Sequence, residues 1–257
     1  MKIGLIQMEV AGGEKERNIH HAFDLMEQAA PSCDLLVLPE LWTIGYDFRQ
    51  IRTQATRMGD SLVEGLGAFA KYHHITLAAG TLPIVHRGAL YNMALLFGPS
   101  GELQAHYSKR HLFSGYLEGT LMTPGQRAMQ TVIGGIQSGM AVCYELYFPD
   151  LFRAMARGGT TLVIVPASWP LMHVSRWEIL DRARAIENGI YVCAVNMAGT
   201  YHGVQLGGHS LFIDPEGTVQ GEAGTAEEIL YGTYEEEKYR ELGRQLAVIR
   251  SVKEEEE

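Results

Sequence analysis

Residues 139–150 read GMAVCYELYFPD. Gly139 to Val142 are small or apolar, as in a buried strand, and the run ends abruptly on the Cys143 thiol, Tyr144 and the charged Glu145. Phe148-Pro149-Asp150 then starts a new segment, YFPDLFRAMARGG, whose apolar spacing is helical and which two glycines stop. A strand that hands over to a helix through a thiol is the unit from which the rest of the chain can be ordered.

Working outward, the same alternation recurs. Upstream lie the strand KIGLIQM, a helix from about Glu16 to Ala30 ended by Pro31, and the strand DLLVLPE stopped at Pro39. A helix follows in DSLVEGLGAFAKYH, with Asp60 or Ser61 as N-cap. ITLAAGTLP and LYNMALLFGPSGE are strands, and LQAHYSK returns as a hairpin partner. Downstream come the strand TTLVIVPAS, a helix through RWEILDRARAIEN, the strand YVCAVNMAG, and GGHSLFIDPEGTVQG with its Asp-Pro-Glu-Gly turn. Strands and helices thus alternate twice in similar order, which predicts an α/β architecture with internal pseudo-repetition. No Ser/Gly/Pro-rich linker divides the halves, so one domain over 1–257 is expected, with 234–257 as a C-terminal arm and acidic tail.

Composition narrows the function classes. The 257 residues carry a formal net charge of -9 with no basic stripe, which disfavours nucleic acid and anionic membranes as partners. Three cysteines without a CxxC pair exclude a disulfide framework or zinc ribbon. No cleavable leader and no apolar run of membrane-spanning length are present, so a cytoplasmic protein is expected. The histidines include the pairs His20-His21 and His73-His74, but no His/Asp/Glu spacing points to a metal, and no cofactor is implied.

In open α/β sheets reactive groups collect where strands end. Three such ends carry Glu40, Lys109 and Cys143: a base, a cation and a nucleophile. A free thiol with a pKa of roughly 8.5 is mostly protonated at neutral pH and needs a base. A carboxylate supplies one but repels the thiolate; a lysine offsets that and can hold an oxyanion. The Tyr144 backbone N–H offers a second oxyanion donor. Taken singly, Cys143 reads as well as a small buried hydrophobe, Glu40 as a turn residue and Lys109 as a solvated strand end.

At these positions the sequence resembles the nitrilase superfamily of carbon–nitrogen hydrolases. LPELWTIGYD is similar to the family's glutamate motif, YSKRHLF to its lysine motif and CYELYFPD to its cysteine motif; PASWP, RWEILDRARAIENGIYVCAVN and GGHSLFIDPEGTV follow in the same order. The resemblance implies a four-layer αββα sandwich that dimerises through one helical layer. It assigns Cys143 as nucleophile, Glu40 as base, Lys109 as the oxyanion cation and Glu118 as a second glutamate. It implies hydrolysis of a small amide, closest in motif spacing to the omega-amidase branch; N-carbamoyl compounds and nitriles are substrates of other branches, and a catalytically silent binding protein is the rival from another class. Tyr46 and Trp169 are candidate pocket walls, though each could equally be core, as could Trp42. Arg176 is a candidate for holding a substrate carboxylate. Two departures from the family pattern stand out: common members carry Asp and Arg where this chain has Glu145 and Tyr147, and where many small-amide hydrolases of the group carry an Arg near Trp169, this chain offers His173 and Arg176 in shifted places.

Overall fold

The structure is a computed structural model that describes residues 1–115, 117–201 and 203–242. The first half runs β1 (Lys2–Gln7), α1 (Lys15–Ala29), β2 (Leu35–Val37), the two-residue β3 (Thr56–Arg57), α2 (Ser61–His73), β4 (Thr76–His86), β5 (Ala89–Phe97) and β6 (Leu103–Ser108). After the single turn α3 (Glu118–Leu121) come β7 (Met129–Ile133), β8 (Ile136–Met140), α4 (Pro149–Arg157), β9 (Leu162–Pro166), α5 (Val174–Asn188) and β10 (Tyr191–Val195). A small hairpin of β11 (Thr200–Tyr201) and β12 (Val204–Gln205) precedes β13 (Leu211–Ile213), β14 (Val219–Glu222) and β15 (Glu228–Thr233).

Apart from the β11–β12 hairpin, these strands form two sheets, ordered β15-β1-β2-β4-β5-β6, with β3 paired to β4, and β14-β13-β10-β9-β8-β7. Read from β15 and from β7, the pairings are the same: antiparallel, parallel, parallel, antiparallel, antiparallel. The expected pseudo-repeat is therefore present strand for strand. Two of its members were not among the expected strands: β7, which pairs with β8 across Gly134-Gly135, and β15, which brings the chain back to pair with β1. Both are edge or near-edge strands of mixed exposure, so they lack the continuous apolar run that marks a buried strand.

Side-chain alternation stacks the layers. On β1 and β2, Ile3, Leu5, Leu35 and Val37 face the second sheet in one core, while Ile6, Leu36 and Leu38 join Ala22, Met26, Leu66 and Phe69 of α1 and α2 in another. The far side of the second sheet is covered by Leu151, Phe152 and Met155 of α4 and by Trp177 and Ala185 of α5. The result is the four-layer αββα sandwich. Its central strands β2, β9 and β10 are buried along their full length, which is why they read as unbroken apolar runs. Beyond β15 a helix begins at residue 236; of the arm and acidic tail expected over 234–257, residues 243–257 lie outside the described residues.

Candidate active site

Glu40 follows β2 at a point where two backbones come unusually close. Gly80 sits at φ +56 within an irregular stretch of β4, and a Cβ there would lie 2.0 Å from the Pro39 carbonyl oxygen. Only glycine tolerates both the left-handed conformation and that approach. Thr81 N then donates to Pro39 O at 3.1 Å, and the Thr81 hydroxyl accepts from Leu41 N at 2.9 Å. Leu41, at φ +47, turns the chain away, so the Glu40 carboxylate points inward.

Lys109 extends from the end of β6, held by Lys109 N→Asn92 O at 2.9 Å and by Gly125 N→Lys109 O at 2.8 Å. Its ammonium is fully buried and donates to Glu40 Oε1 at 2.8 Å and to Glu118 Oε1 and Oε2 at 3.1 and 3.0 Å. Burial opposes that charge, but the Glu40 and Glu118 carboxylates outweigh it and hold the ammonium pKa above the ordinary lysine value. Glu118, at the first residue of α3, also accepts from Phe113 N at 2.7 Å.

Asn92 on β5 ties the two carboxylates together. Its Nδ2 donates to Glu40 Oε1 at 2.8 Å and to Glu118 Oε1 at 2.7 Å. Sequence reasoning missed it. The available signal was a lone amide inside the apolar run ALYNMALLF, since a buried polar side chain persists only with partners.

Cys143 stands at the end of β8, on the opposite sheet, as the first residue of a 3-10 helix spanning Cys143–Tyr147. Its φ is +53, a left-handed conformation that costs about 1–3 kcal/mol for a residue with a side chain and that recurs at nucleophile turns. The thiol faces the Glu40 carboxylate and the Ser168 backbone. Tyr46 bridges the same pair: its hydroxyl donates to Glu40 Oε2 at 2.6 Å and lies 4.0 Å from Cys143 Sγ. Tyr144 N–H is in the first turn of the 3-10 helix, where backbone donors have no intrahelical acceptor.

The Lys109 charge acts on the Cys143 thiol with the sign expected of it, favouring the thiolate against the Glu40 charge. Burial, followed by the Glu40 charge, pushes the Cys143 thiol above its usual range, and the Lys109 ammonium opposes them.

The other candidates separate. Trp42 is core, its indole donating to Ala79 O at 2.8 Å. Trp169 is buried beneath Tyr147, their rings stacked at 5.6 Å and 22°, and Asn196 fixes it by accepting from Trp169 N at 2.6 Å and donating to Trp169 O at 3.2 Å. Tyr144 packs on Phe113, Tyr147 and Phe148, so a band of aromatic rings runs from Phe113 to Trp177 beside the thiol. Arg176 is exposed on the first turn of α5, and the arrangement does not bring it into the Glu40–Lys109–Glu118–Cys143 cluster. Away from that cluster, the fold gathers Glu178, His209 and Glu222 with ligand-type atoms within 4.8 Å of one another, a grouping that sequence spacing did not reveal. His209 Nδ1 lies 2.7 Å from Glu222 Oε1, within hydrogen-bond distance, and 3.5 Å from Glu178 Oε1.

Glu40, Lys109, Glu118 and Cys143 thus converge in one buried constellation of the αββα sandwich. The carbon–nitrogen hydrolase family model matches residues 2–244, and the chain belongs to that family. It is 31% identical to a 2-oxoglutaramate amidase of Bacillus subtilis over 251 residues, 98% of this chain and 97% of the relative. Among solved structures it resembles Saccharomyces cerevisiae Nit3, a member of branch 10 of the nitrilase superfamily, with a TM-score of 0.89 at 28% identity over 96% of this chain and 94% of that one. It also resembles an amidase from Nesterenkonia sp., with a TM-score of 0.85 at 30% identity over 95% of this chain and 96% of that one. In that structure a Glu-to-Gln variant carries the acetamide moiety of fluoroacetamide on its active-site cysteine.

Proposed function

We propose that this protein is an amidase that releases ammonia from a small monoamide of a dicarboxylic acid, with 2-oxoglutaramate as the type of substrate. The observation that carries the reading is the fully buried Lys109 ammonium, bracketed by Glu40 and Glu118 and facing the Cys143 turn. Cys143 Sγ attacks the amide carbonyl while its proton passes to Glu40. Lys109 Nζ and the Tyr144 N–H stabilise the oxyanion. Collapse of the tetrahedral intermediate breaks the C–N bond, and Glu40 returns the proton to the departing ammonia. A water deprotonated by Glu40 then attacks the thioester, releasing the carboxylic acid and the thiol. The Tyr46 hydroxyl orients the Glu40 carboxylate, and Glu118 keeps Lys109 aimed at the oxyanion. Trp169 and Tyr144 wall the acyl site.

The relatives' names support the substrate class, since 2-oxoglutaramate amidases match this chain over most of its length. A homodimer through the α4–α5 layer is part of this reading, supported by Met172, Ile179 and Ile186, exposed at 78%, 67% and 46%. No helix of the described residues is long and apolar enough to cross a membrane, and a cytoplasmic location is proposed with the rest. The test is ammonia release from a panel of 2-oxoglutaramate, N-carbamoyl amino acids and aliphatic nitriles. Turnover of 2-oxoglutaramate well above the others is expected; preference for a carbamoyl compound or nitrile would overturn the substrate assignment.

A further inference from the structure

Glu145 lies two residues after the nucleophile, fully buried, and every group around its carboxylate is a donor. Oε1 accepts from Arg110 N at 2.8 Å, His111 N at 3.1 Å and the Tyr107 hydroxyl at 2.8 Å. Oε2 accepts from Val142 N at 2.8 Å and the same hydroxyl at 2.9 Å. The His111 ring also approaches, with Nδ1 3.4 Å from Oε1, and is itself stacked on Phe148.

These donors come from both sheets. Tyr107 is on β6, and Arg110 and His111 are the two residues directly after Lys109. Val142 is the residue directly before Cys143 and the N-cap of its 3-10 helix, so Glu145 at N3 closes half of a capping box onto the nucleophile turn. Glu40 and Lys109 follow strands β2 and β6 of the first sheet, and the Cys143 thiol follows β8 of the second. We propose that Glu145 is the positioning residue that holds these two parts in register, by clasping the backbone on either side of the site with one carboxylate. The inference rests on the amidase reading for its kinetic consequence and on geometry alone for the clasp.

The chemistry fits a carboxylate and no neutral isostere. The three backbone N–H groups cannot become acceptors. In Glu145→Gln the amide NH2 must face either Val142 N–H or the Arg110 and His111 N–H pair, and one side of the clasp opens. A displacement of about 1 Å between nucleophile and base is enough to cost on the order of 100-fold in rate. Glu145→Asp keeps the charge but is one methylene shorter, so it reaches one side at the expense of the other.

The test compares kcat, KM and the second-order rate of Cys143 alkylation by iodoacetamide in the parent, Glu145→Gln, Glu145→Asp and Tyr107→Phe. Glu145→Gln should lose about 100-fold in kcat with KM within about threefold, and Cys143 alkylation should fall in parallel. Glu145→Asp should recover roughly tenfold of that loss. Tyr107→Phe removes one donor and leaves the three backbone bonds, so it should fold as the parent does and lose roughly three- to tenfold in kcat. A folded Glu145→Gln with kcat and alkylation within threefold of the parent overturns the proposal; if that variant does not fold, a Tyr107→Phe enzyme with unchanged kcat and alkylation does so. A parent that releases no ammonia from any amide would sink the amidase reading instead, and the alkylation rates would still decide whether Glu145 sets the thiol's surroundings.

Discussion

Cys143 and Cys193 belong to the same sheet, two strands apart, and burial raises the pKa of both thiols. Cys193 lies in the middle of β10, between Ile164 and Phe212 of the flanking strands, and burial is the sole cause of its shift. Cys143 lies past the end of β8 in a left-handed turn, with a carboxylate, an ammonium and the Ser168 backbone around it. Neither thiol is activated by a lowered pKa. What separates them is their surroundings: the Glu40 carboxylate and the Lys109 ammonium act on Cys143, whereas burial alone acts on Cys193. On the proposed reading those partners make Cys143 the nucleophile and leave Cys193 structural.

The sharpest way to break the contrast is to remove each thiol in turn. Cys143→Ala should abolish ammonia release, by about 10⁴-fold or more, because no other group can form the acyl intermediate. Its melting temperature should remain close to the parent's. Glu118→Gln comes next. All of the groups facing that carboxylate are donors from Lys109, Asn92 and Phe113, so the amide misplaces the ammonium; kcat should fall about 100-fold, the usual cost of losing an oxyanion stabiliser. A value within threefold of the parent would remove Glu118 from the catalytic group.

Cys193→Ser should do the reverse of Cys143→Ala. Activity at 25 °C should stay within about twofold, while a buried hydroxyl without a side-chain partner destabilises the sheet by about 1–3 kcal/mol, seen as a lower melting temperature. Loss of turnover at full stability would contradict the distinction.

The smallest effect concerns Asp181 on α5, where both carboxylate oxygens are buried without a hydrogen-bond partner among the described residues. Burial raises its pKa, with Arg184 opposing, so the unfolded chain ionises near pH 3.8 and the folded one only at higher pH. Stability is then fully present below that value and is lost as pH rises through the folded pKa. Asp181→Asn should melt a few degrees above the parent at pH 7–8, with the gap closing toward pH 4 and activity unchanged. A gap that widens toward low pH would reverse the assigned sign.

The contrast between the thiols also marks how far the sequence could be read. Glu40, Lys109 and Cys143 were visible because each interrupts a strand with a group that a buried strand end does not otherwise hold. Glu118 was reached through family resemblance, its neighbours offering no periodic signal. Asn92 and Glu145 were not recognised as site-building residues, because their partners are 52 and 26 residues away for the amide and up to 38 for the carboxylate. Such cross-strand and cross-sheet bonds exist only once the sandwich closes. The double alternation of strands and helices was legible from apolar runs, whereas β7 and β15 were not, since edge strands carry mixed polarity. Tyr46 was read as a possible wall; its hydroxyl on Glu40 is a matter of side-chain direction that no spacing encodes.

The central claim, that Cys143 alone among the three thiols meets substrate carbonyl carbon, is tested most directly by peptide mapping after reaction with fluoroacetamide. The amide-shaped reagent should be carried to the site and alkylate Cys143 in both the parent and Glu40→Gln, leaving Cys33 and Cys193 unmodified. An adduct on Cys33 or Cys193 with Cys143 untouched would contradict the account.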